Sequence, residues 1–408
     1  MDNLEPLCYH CKQVFENEWG PIKTGHYSTD VVCAITEAKY LCIFEDRELE
    51  PVIEYVCGLK GRLDFVKYLH CHDLIFIASR FEFMTMKKCN LEHEVYHETD
   101  LYIISLEWNP SETGFVVCTK ENEIIYFAFN KTSISLQFKC ALDSAVPTPI
   151  MLGWGSGDAQ FQGAGTARHR SVGVNTRPPI EESGEPVIFN DPPNISWRGN
   201  GDHLVVNYAK NNRRYVKVFN ILLEPLYESE AYPNLGPSVS FMGFGQSIAC
   251  FAIDRGANKI VIFEKNCRVK EDFYVPQTKG LIKKVRFHNQ IHTIAIFSED
   301  SENKEQYITL YYKKNNRWYL KQELYYPTGI NIHDFFLVET EDIVCNLIKL
   351  VVITDQYIEW HTFRYIIYKS PQDATILVVD GRFLEFSKFD YCITPRLVIT
   401  PRWSIQDL

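Results

Sequence analysis

The sequence predicts an all-β fold, a ring of about seven four-stranded blades, from a repeat of aromatic residues, a shared turn pattern and the lack of helical periodicity. Five aromatic residues each precede a short polar or glycine break and a hydrophobic run; they are Trp108, Trp154, Trp197, Phe241 and Phe287. Their spacings are 46, 43, 44 and 46 residues. A fixed period in the forties is typical of a β-propeller, in which each repeat forms one blade and the ring serves as a platform for binding.

The turn pattern is clearest in two repeats that align residue by residue. Residues 195–206 read Ile-Ser-Trp-Arg-Gly-Asn-Gly-Asp-His-Leu-Val-Val, and residues 239–250 read Val-Ser-Phe-Met-Gly-Phe-Gly-Gln-Ser-Ile-Ala-Cys. An apolar–Ser–aromatic triplet ends one strand, two glycines permit the positive φ of a tight turn, and an apolar run begins the next strand. Residues 105–118 and 285–296 repeat this shape, although the second copy has lost the glycines.

Each repeat continues with an alternating run of apolar and polar residues, as expected for a strand. These runs are residues 123–129, 215–219, 259–263 and 307–312. No helical period of comparable length accompanies them, and the 23 Tyr and 26 Phe favour strands.

Weaker blades precede and follow the clear repeats, at residues 30–44, 63–86 and 335–368. Dividing residues 25–370 by a period in the forties gives seven or eight blades, of which we favour seven. Ring closure within this sequence stays open at this point.

Residues 155–194 interrupt the pattern, because Gly, Pro, Ser, Arg and Glu predominate there. We expect one long inserted loop, mobile between Ala164 and Glu185. The predicted organisation is therefore a propeller at residues 1–370 with this insertion. Residues 371–408 are either a closing strand or the start of an incomplete second propeller.

The formal net charge is -10 and the basic residues are scattered, which argues against direct binding of nucleic acid. Three basic pairs stand out, at residues 213–214, 283–284 and 313–314. We interpret them as solvated strand ends or turns, with a phosphate contact as the alternative.

The N-terminus lacks the basic and apolar order of a signal peptide, and no run of 18 apolar residues predicts a membrane helix. The 13 cysteines show no regular disulfide framework. Several lie in strand-like runs, where we expect reduced, buried thiols of a cytosolic protein: Cys33, Cys42, Cys118, Cys250 and Cys345.

His93, Glu94 and His97 formally match the zinc-protease motif H-E-x-x-H. That chemistry requires a helix, which places two histidines one turn apart on one metal with the glutamate as general base. Here the motif runs into the strand-like residues 101–104, so we interpret it as a solvated strand or turn.

Two other motifs are weaker. Cys8 and Cys11 form a single C-x-x-C whose nearest candidate partner for zinc is the His-Cys-His run at 70–72; an ordinary N-terminal strand is the default. The glycine-rich residues 153–157 lack the Lys-Ser/Thr of a phosphate-binding loop and read as a turn. The sequence therefore predicts no catalytic residue, no cofactor and no metal site.

Four segments are similar to one known family: Leu152–Gly163 with Gly-Trp-Gly before Gln-Phe-Gln-Gly, Ile195–Gly201 with Ser-Trp-Arg-Gly, Ile262–Asn266 with Phe-Glu-Lys-Asn, and Arg317–Gln322 with Trp-Tyr-Leu-Lys-Gln. In order and spacing they resemble the family of Elongator complex protein 1, the largest Elongator subunit. The resemblance covers roughly residues 100–330. The chain departs from the family at Cys267, where the family has glycine, and after Asp334, where the sequence is diverged.

The resemblance implies a WD40-like propeller at the start of a longer, non-catalytic scaffold that supports wobble-uridine (U34) modification of tRNA. Another subunit, with radical-SAM and acetyltransferase-like domains, performs the chemistry. The implied partners are the other Elongator subunits, including that catalytic subunit and the second propeller subunit, with tRNA reached only indirectly and no membrane. Self-association is in doubt because the family's C-terminal dimerising region is absent. The expected compartment is the cytoplasm, with a nuclear pool left open.

Two other functions remain as alternatives. One is a stand-alone propeller adaptor for protein–protein interaction that no longer assembles with Elongator, and the other is an enzyme using the His93 cluster. On a scaffold, exposed aromatic residues are candidate partner anchors. Trp19, Trp318 and Tyr232 are such candidates, with packing inside a blade as the alternative for each.

Overall fold

The computed structural model describes residues 2–13, 20–28, 30–45, 52–56, 59–146, 189–242, 245–276, 280–288, 292–314, 317–338 and 347–367, and within the tail 375–380, 383–388 and 397–399. Every regular element in these residues is a β-strand. Over the same residues, no helix is present that is long and apolar enough to cross a membrane.

The strands form seven four-stranded antiparallel sheets, which we number as blades 1 to 7. The chain begins with β1 (Asp2–Gln13). Blade 1 holds β2 (Ile22–Ser28), β3 (Val31–Thr36), β4 (Tyr40–Glu45) and β5 (Val52–Tyr55); blade 2 holds β6 (Phe65–Leu69), β7 (Leu74–Ala78), β8 (Glu82–Lys87) and β9 (His93–Glu98); blade 3 holds β10 (Ile103–Trp108), β11 (Gly114–Thr119), β12 (Glu123–Asn130) and β13 (Ser133–Ala141).

The remaining strands continue in the same order. Blade 4 holds β14 (Asn194–Trp197), β15 (His203–Lys210), β16 (Arg213–Asn220) and β17 (Pro225–Glu228); blade 5 holds β18 (Leu235–Phe241), β19 (Ser247–Asp254), β20 (Ala257–Glu264) and β21 (Val269–Tyr274); blade 6 holds β22 (Leu281–Phe287), β23 (Thr293–Glu299), β24 (Gln306–Lys314) and β25 (Arg317–Tyr326); blade 7 holds β26 (Ile332–Val338), β27 (Leu347–Thr354) and β28 (Tyr357–Ile367); the tail holds β29 (Thr375–Asp380), β30 (Phe383–Lys388) and β31 (Leu397–Ile399).

The fourth strand of blade 7 comes from the start of the chain. β1 pairs antiparallel with β28, from Asp2 opposite Ile367 to Gln13 opposite Tyr357. The last blade is therefore completed by the first strand, which joins the two ends of the ring through backbone hydrogen bonds. The strands β29 to β31 pair with one another in a separate three-stranded sheet. The predicted division of the chain at residue 370 stays a prediction.

Seven hydrophobic clusters hold the ring together, one between each pair of neighbouring blades. The cluster between blades 7 and 1 joins Trp360 and Val351 to Val32 and Phe44, so side-chain packing closes the circle as well. The middle strands are buried on both faces because each blade is covered by two others. The predicted all-β propeller of seven four-stranded blades is confirmed.

The repeated aromatic residues have one structural role. Trp108, Trp197, Phe241 and Phe287 each stand at the end of the first strand of a blade and are buried. Trp154, the fifth member of the predicted series, lies outside the described residues. Four of the cysteines expected in strands, Cys33, Cys42, Cys118 and Cys250, are free and buried, and Cys345 lies outside the described part.

Candidate functional site

The first strands of the seven blades surround a central channel with a cavity of about 420 Å³. Its wall is charged on one side and neutral on the other. Blades 1, 2, 3, 6 and 7 contribute the titratable side chains His26, Lys67, Glu107, Lys284, Arg286 and Asp334. Blades 4 and 5 contribute the neutral Asn194 and Ser238.

An ion cluster joins blade 6 to blade 7 across the channel wall. Asp334 accepts hydrogen bonds from Lys284 Nζ at 2.8 Å and from the Arg286 guanidinium at 2.9 Å. The Arg286 guanidinium also lies 4.4 Å from the centre of the Phe336 ring. Burial alone would raise the pKa of Asp334, but Arg286 and Lys284 outweigh it and hold that pKa below its ordinary value. Asp334 is therefore a carboxylate whose charge is already matched.

Lys67 faces the same cavity from blade 2 without such a partner. No carboxylate oxygen of the described residues lies within 4.0 Å of its ammonium group. Burial lowers the pKa of Lys67, with Glu107 and Glu112 acting against that shift. Glu107 shows the opposite change, because burial raises its pKa more than Lys67 and Arg286 lower it. Within the described part of the chain, neither group thus has a direct ion pair to offset the desolvation of its charge.

His26 lies between these charged groups on blade 1. Burial lowers its pKa well below the ordinary value, and Lys67, Arg286 and Lys284 add to that shift. Its Nδ1 is buried and has no hydrogen-bond partner among the residues that the structure describes, and its ring centre is 5.0 Å from that of Phe336. His26 is therefore a neutral imidazole at neutral pH.

The neutral side of the channel is built from hydrogen bonds between blades. Ser196 Oγ accepts the N–H of Phe241 at 2.9 Å, and Ser240 Oγ accepts the N–H of Phe287 at 2.9 Å. These two serines are the middle residues of the apolar–Ser–aromatic triplet. Two residues earlier in the same strands, Asn194 Oδ1 accepts a hydrogen bond from the N–H of Val239 at 3.2 Å, and Ser238 Oγ accepts one from the N–H of Val285 at 2.9 Å. The triplet therefore encodes attachment to the next blade as well as a strand end.

The connection between blades 3 and 4, residues 142–193, returns to the ring beside the channel, where Asp191 and Pro192 line the cavity. Arg214 holds this returning end. Its guanidinium donates to the carbonyls of Phe189, Asp191 and Pro192 at 3.2, 2.9 and 3.2 Å. The side chain is 3% exposed, and burial lowers its pKa to about 10. The predicted insertion at 155–194 lies largely outside the described residues.

Lys217, three residues further along β16, holds the departing end of the same connection. Its ammonium donates to the Leu142 carbonyl at 2.8 Å and to the Ser144 carbonyl, and it lies 3.6 Å from Glu228. The side chain is fully buried, which lowers its pKa while Glu228 acts against the shift. Two buried cations of one strand thus fix both ends of the connection.

The interpretation of the basic pairs as solvated strand ends is wrong for one member of each pair. Arg214 is buried in the blade, and Lys284 is bound to Asp334 in the channel. Lys313 pairs with Glu271 of blade 5 at 2.5 Å with 16% of its side chain exposed. Burial and partners that are distant in the sequence decide these environments, and neither is visible in a local sequence pattern.

The H-E-x-x-H residues lie on the outer strand β9 rather than on a helix. His93 and Glu94 are exposed, Glu94 pairs with Lys87 at 2.5 Å, and the His97 ring stacks on Phe83 at 5.9 Å. In an extended strand, residues four apart are roughly 13 Å apart, too far to share one metal ion. The interpretation as a strand is confirmed.

The other candidate ligands are also separated. Cys8 and Cys11 lie on β1, at the outer edge of blade 7, where their backbones pair with Thr362 and Glu359. Residues 70–72 form the first turn of blade 2, so blade 1 lies between the two sets. Among the described residues no three His, Cys, Asp or Glu side chains are grouped to hold a metal ion. The glycine-rich residues 153–157 lie outside the described part.

The turn at 70–72 has a role that the sequence did not indicate. The Glu112 carboxylate of blade 3 accepts the N–H groups of His70 and Cys71 at 3.1 and 2.8 Å. His72 Nε2 lies 3.0 Å from the Glu112 carbonyl oxygen. The His-Cys-His run is therefore an attachment point between blades 2 and 3.

The candidate partner anchors are largely packed. Trp318 stacks on Phe273 with ring centres 5.3 Å apart, and Tyr232 packs against Phe263. Both are partly buried against a core cluster, which favours the alternative of packing inside the ring. Trp19 lies outside the described residues. Large side chains that are exposed instead include Tyr274, Tyr325, Leu320, Phe81 and Tyr102.

Comparisons with known proteins agree with this architecture. The family model described as the ELP1 first N-terminal beta-propeller matches residues 31–338. Elongator complex protein 1 of Rattus norvegicus is 25% identical over 312 residues, which cover 73% of this chain and 23% of the relative. The proteins of the same name from Schizosaccharomyces pombe and Saccharomyces cerevisiae are 24% and 22% identical, over 74% and 80% of this chain. The chain spans about a quarter of the length of these relatives.

Proposed function

From the premise that this chain belongs to the family of the first N-terminal propeller of Elongator complex protein 1, we propose that it is a non-catalytic scaffold subunit of the Elongator complex that supports wobble-uridine (U34) modification of tRNA. The match to the family model over residues 31–338 carries the proposal. That stretch runs from β3 in the first blade to β26 in the last.

The rigid ring is suited to act as a binding platform for other proteins. Its seven blades are fixed to one another by buried clusters, by the serine hydrogen bonds and by the pairing of β1 with β28. A surface that changes little on binding loses little conformational entropy when a partner docks. The proposed partners are the other Elongator subunits, including the subunit with radical-SAM and acetyltransferase-like domains and the second propeller subunit.

We propose that tRNA is reached only through the complex. The net charge of -10 gives the chain no overall attraction for a polyanion. Several lysines and arginines of the strands are matched by a carboxylate at the surface or in the channel. The proposed compartment is the cytoplasm, and the free, buried thiols fit a reducing environment.

The test is affinity purification of the tagged chain from its native cytosol, with partners identified by mass spectrometry. Stoichiometric recovery of the catalytic Elongator subunit is the expected result. A matched bait carrying Leu320→Lys and Tyr325→Lys, two exposed residues of β25, controls for adhesion through apolar surface. Reproducible recovery of other proteins without any Elongator subunit would instead establish the stand-alone adaptor.

A second readout tests the tRNA role. Deleting the gene should remove the side chains from wobble uridines, measured by mass spectrometry of digested tRNA, and re-expression of the chain should restore them. Unchanged wobble-uridine modification after deletion of the gene would overturn the proposed role in tRNA modification. The purification result would still decide whether the chain assembles with Elongator.

A further inference from the structure

We propose that the central channel is a binding site for a small anion with a phosphate or carboxylate group, held by Lys67, Lys284 and Arg286. This site lies within the ring itself, and binding there does not depend on the function proposed above.

The cavity has the size and access that such a ligand needs. Its volume of about 420 Å³ lies within the range of roughly 300–1,000 Å³ typical of small-molecule sites. Asn194 and Asp334 stand near the starts of their first strands, whereas Lys284 is central in β22 and Arg286 lies near its end. The polar lining therefore extends from the rim beside Asn194 along most of the channel. Asp191 at this rim is exposed to solvent, where its charge is screened.

The balance of charge within the cavity favours an anion. Apart from Asp64 and Lys283, which are paired with residues outside the cavity, and the exposed Asp191, the lining holds the positive charges of Lys67, Lys284 and Arg286 and the two carboxylates of Glu107 and Asp334. Asp334 is already bound by two of the cations. Among the described residues of the lining, an added cation would find Glu107, whose charged form burial disfavours, and Asp191, which is exposed at the rim.

Lys67 is the group that an anion would satisfy. Its ammonium is partly buried and has no carboxylate within 4.0 Å among the described residues. Burial of an unmatched charge is costly, and a negative group placed beside it recovers part of that cost. Arg286 adds a second positive charge, since it also lines the cavity. The two groups approach the cavity from blades 2 and 6.

Apart from Asp334, the other titratable groups described beside the cavity do not occupy Lys67 or Arg286. Asp64 at the rim is paired with Lys23 at 3.0 Å and with Arg80 at 2.6 Å, so it is matched outside the cavity. Lys283 also lines the cavity, and its charge is paired with Glu299 at 3.5 Å. His26 is neutral and can donate one hydrogen bond to a bound oxygen.

Isothermal titration calorimetry with orthophosphate and pyrophosphate, on the full chain at low ionic strength, tests the proposal. We expect one saturable site per chain, and a loss of affinity of about tenfold or more in Lys67→Met. Lys139→Met, which removes an exposed lysine of β13, is the matched control and should bind like the original chain. Equal weakening in both variants would show general charge attraction and overturn the site.

A variant that binds the anion more tightly distinguishes a real site from misfolding, because a misfolded variant would only lose affinity. Glu107→Gln removes the carboxylate that competes with the anion, so it should strengthen binding several-fold while circular dichroism shows an unchanged fold. Titrations in two buffers of different ionisation enthalpy should reveal proton uptake, because a bound anion raises the pKa of Glu107 and of Lys67. Absence of saturation up to about 10 mM ligand, which is weaker than ordinary specific binding, would overturn the proposal.

Discussion

Ser240 Oγ accepts a hydrogen bond from the backbone N–H of Phe287 at 2.9 Å, and this bond crosses from blade 5 to blade 6. The serine is 8% exposed and Phe287 is 6% exposed, so water cannot replace the bond easily. The same relationship between Ser196 and Phe241 joins blade 4 to blade 5. A residue that ends one strand in the repeat pattern is therefore also the hydrogen-bond acceptor of the next blade.

The first prediction concerns this bond. Ser240→Ala should lower the free energy of unfolding by about 1–3 kcal/mol, because it leaves a buried N–H group without an acceptor. Chemical denaturation followed by tryptophan fluorescence measures the change. Ser135→Ala, at an exposed position on β13, is the control and should lie within about 0.5 kcal/mol of the original chain. Equal losses in the two variants would contradict the role given to Ser240.

The blades could be predicted because their signals are local in the sequence. The triplet, the glycine turn and the following apolar run of residues 195–206 lie within one hairpin, and β14 and β15 pair there as expected. The regular spacing of the aromatic residues then shows that this hairpin recurs along the chain. The weaker runs within residues 30–44 and 335–368 also proved to belong to blades, because their middle strands β3 and β27 are largely buried on both faces and read as continuous apolar stretches.

Contacts between blades could not be predicted in the same way. Arg214 reads as a charged strand end, but its partners at 189–192 come from a connection whose path no local pattern fixes. The channel draws residues from the first strands of all seven blades, so Lys67 and Arg286 line one cavity only after the ring closes. The N-terminal strand β1 shows no alternation that would assign it to blade 7.

The second prediction tests Arg214 as the support of the returning connection. Arg214→Lys keeps the positive charge but replaces the planar guanidinium with a single ammonium group. That group cannot bond three carbonyl groups and Asn207 at once, so the segment 189–193 should open more often. Limited proteolysis should then cleave this segment several-fold faster. Arg213→Lys changes the exposed neighbour and should leave the rate unaltered. Equal rates in Arg214→Lys and the original chain would show that other contacts hold the segment.

The third prediction is a pH dependence from His288, which is 1% exposed and whose Nε2 lies 3.3 Å from the Val338 carbonyl oxygen. Burial lowers its pKa from 6.5 to about 4. Between pH 6.5 and about 4, the histidine is therefore protonated in the unfolded chain but neutral in the folded protein. The stability present above pH 6.5 falls as the pH drops towards 4. The loss from this residue is about 3 kcal/mol.

Unfolding free energies measured between pH 7 and pH 4 check this expectation. His288→Gln retains a donor for Val338 but does not titrate, so its stability should fall less steeply with decreasing pH. His26 titrates in the same direction, and for that reason the variant should flatten the profile without abolishing its slope. His93→Gln, at an exposed site, should keep the original slope. A His288→Gln profile parallel to that of the original chain would contradict the prediction.

The fourth prediction compares the two ends of the chain. Removing residues 2–13 deletes β1, leaves the backbone of β28 as an unpaired edge and breaks the only strand pairing, among the described residues, that joins the start of the ring to its end. An open edge pairs readily with another copy. We expect a melting temperature several degrees lower and association visible by size-exclusion chromatography. Removing residues 371–408 should change neither property, because we propose that the ring is complete without β29 to β31. A melting temperature lowered equally by both truncations would place the tail within the ring and overturn the proposed division at residue 370.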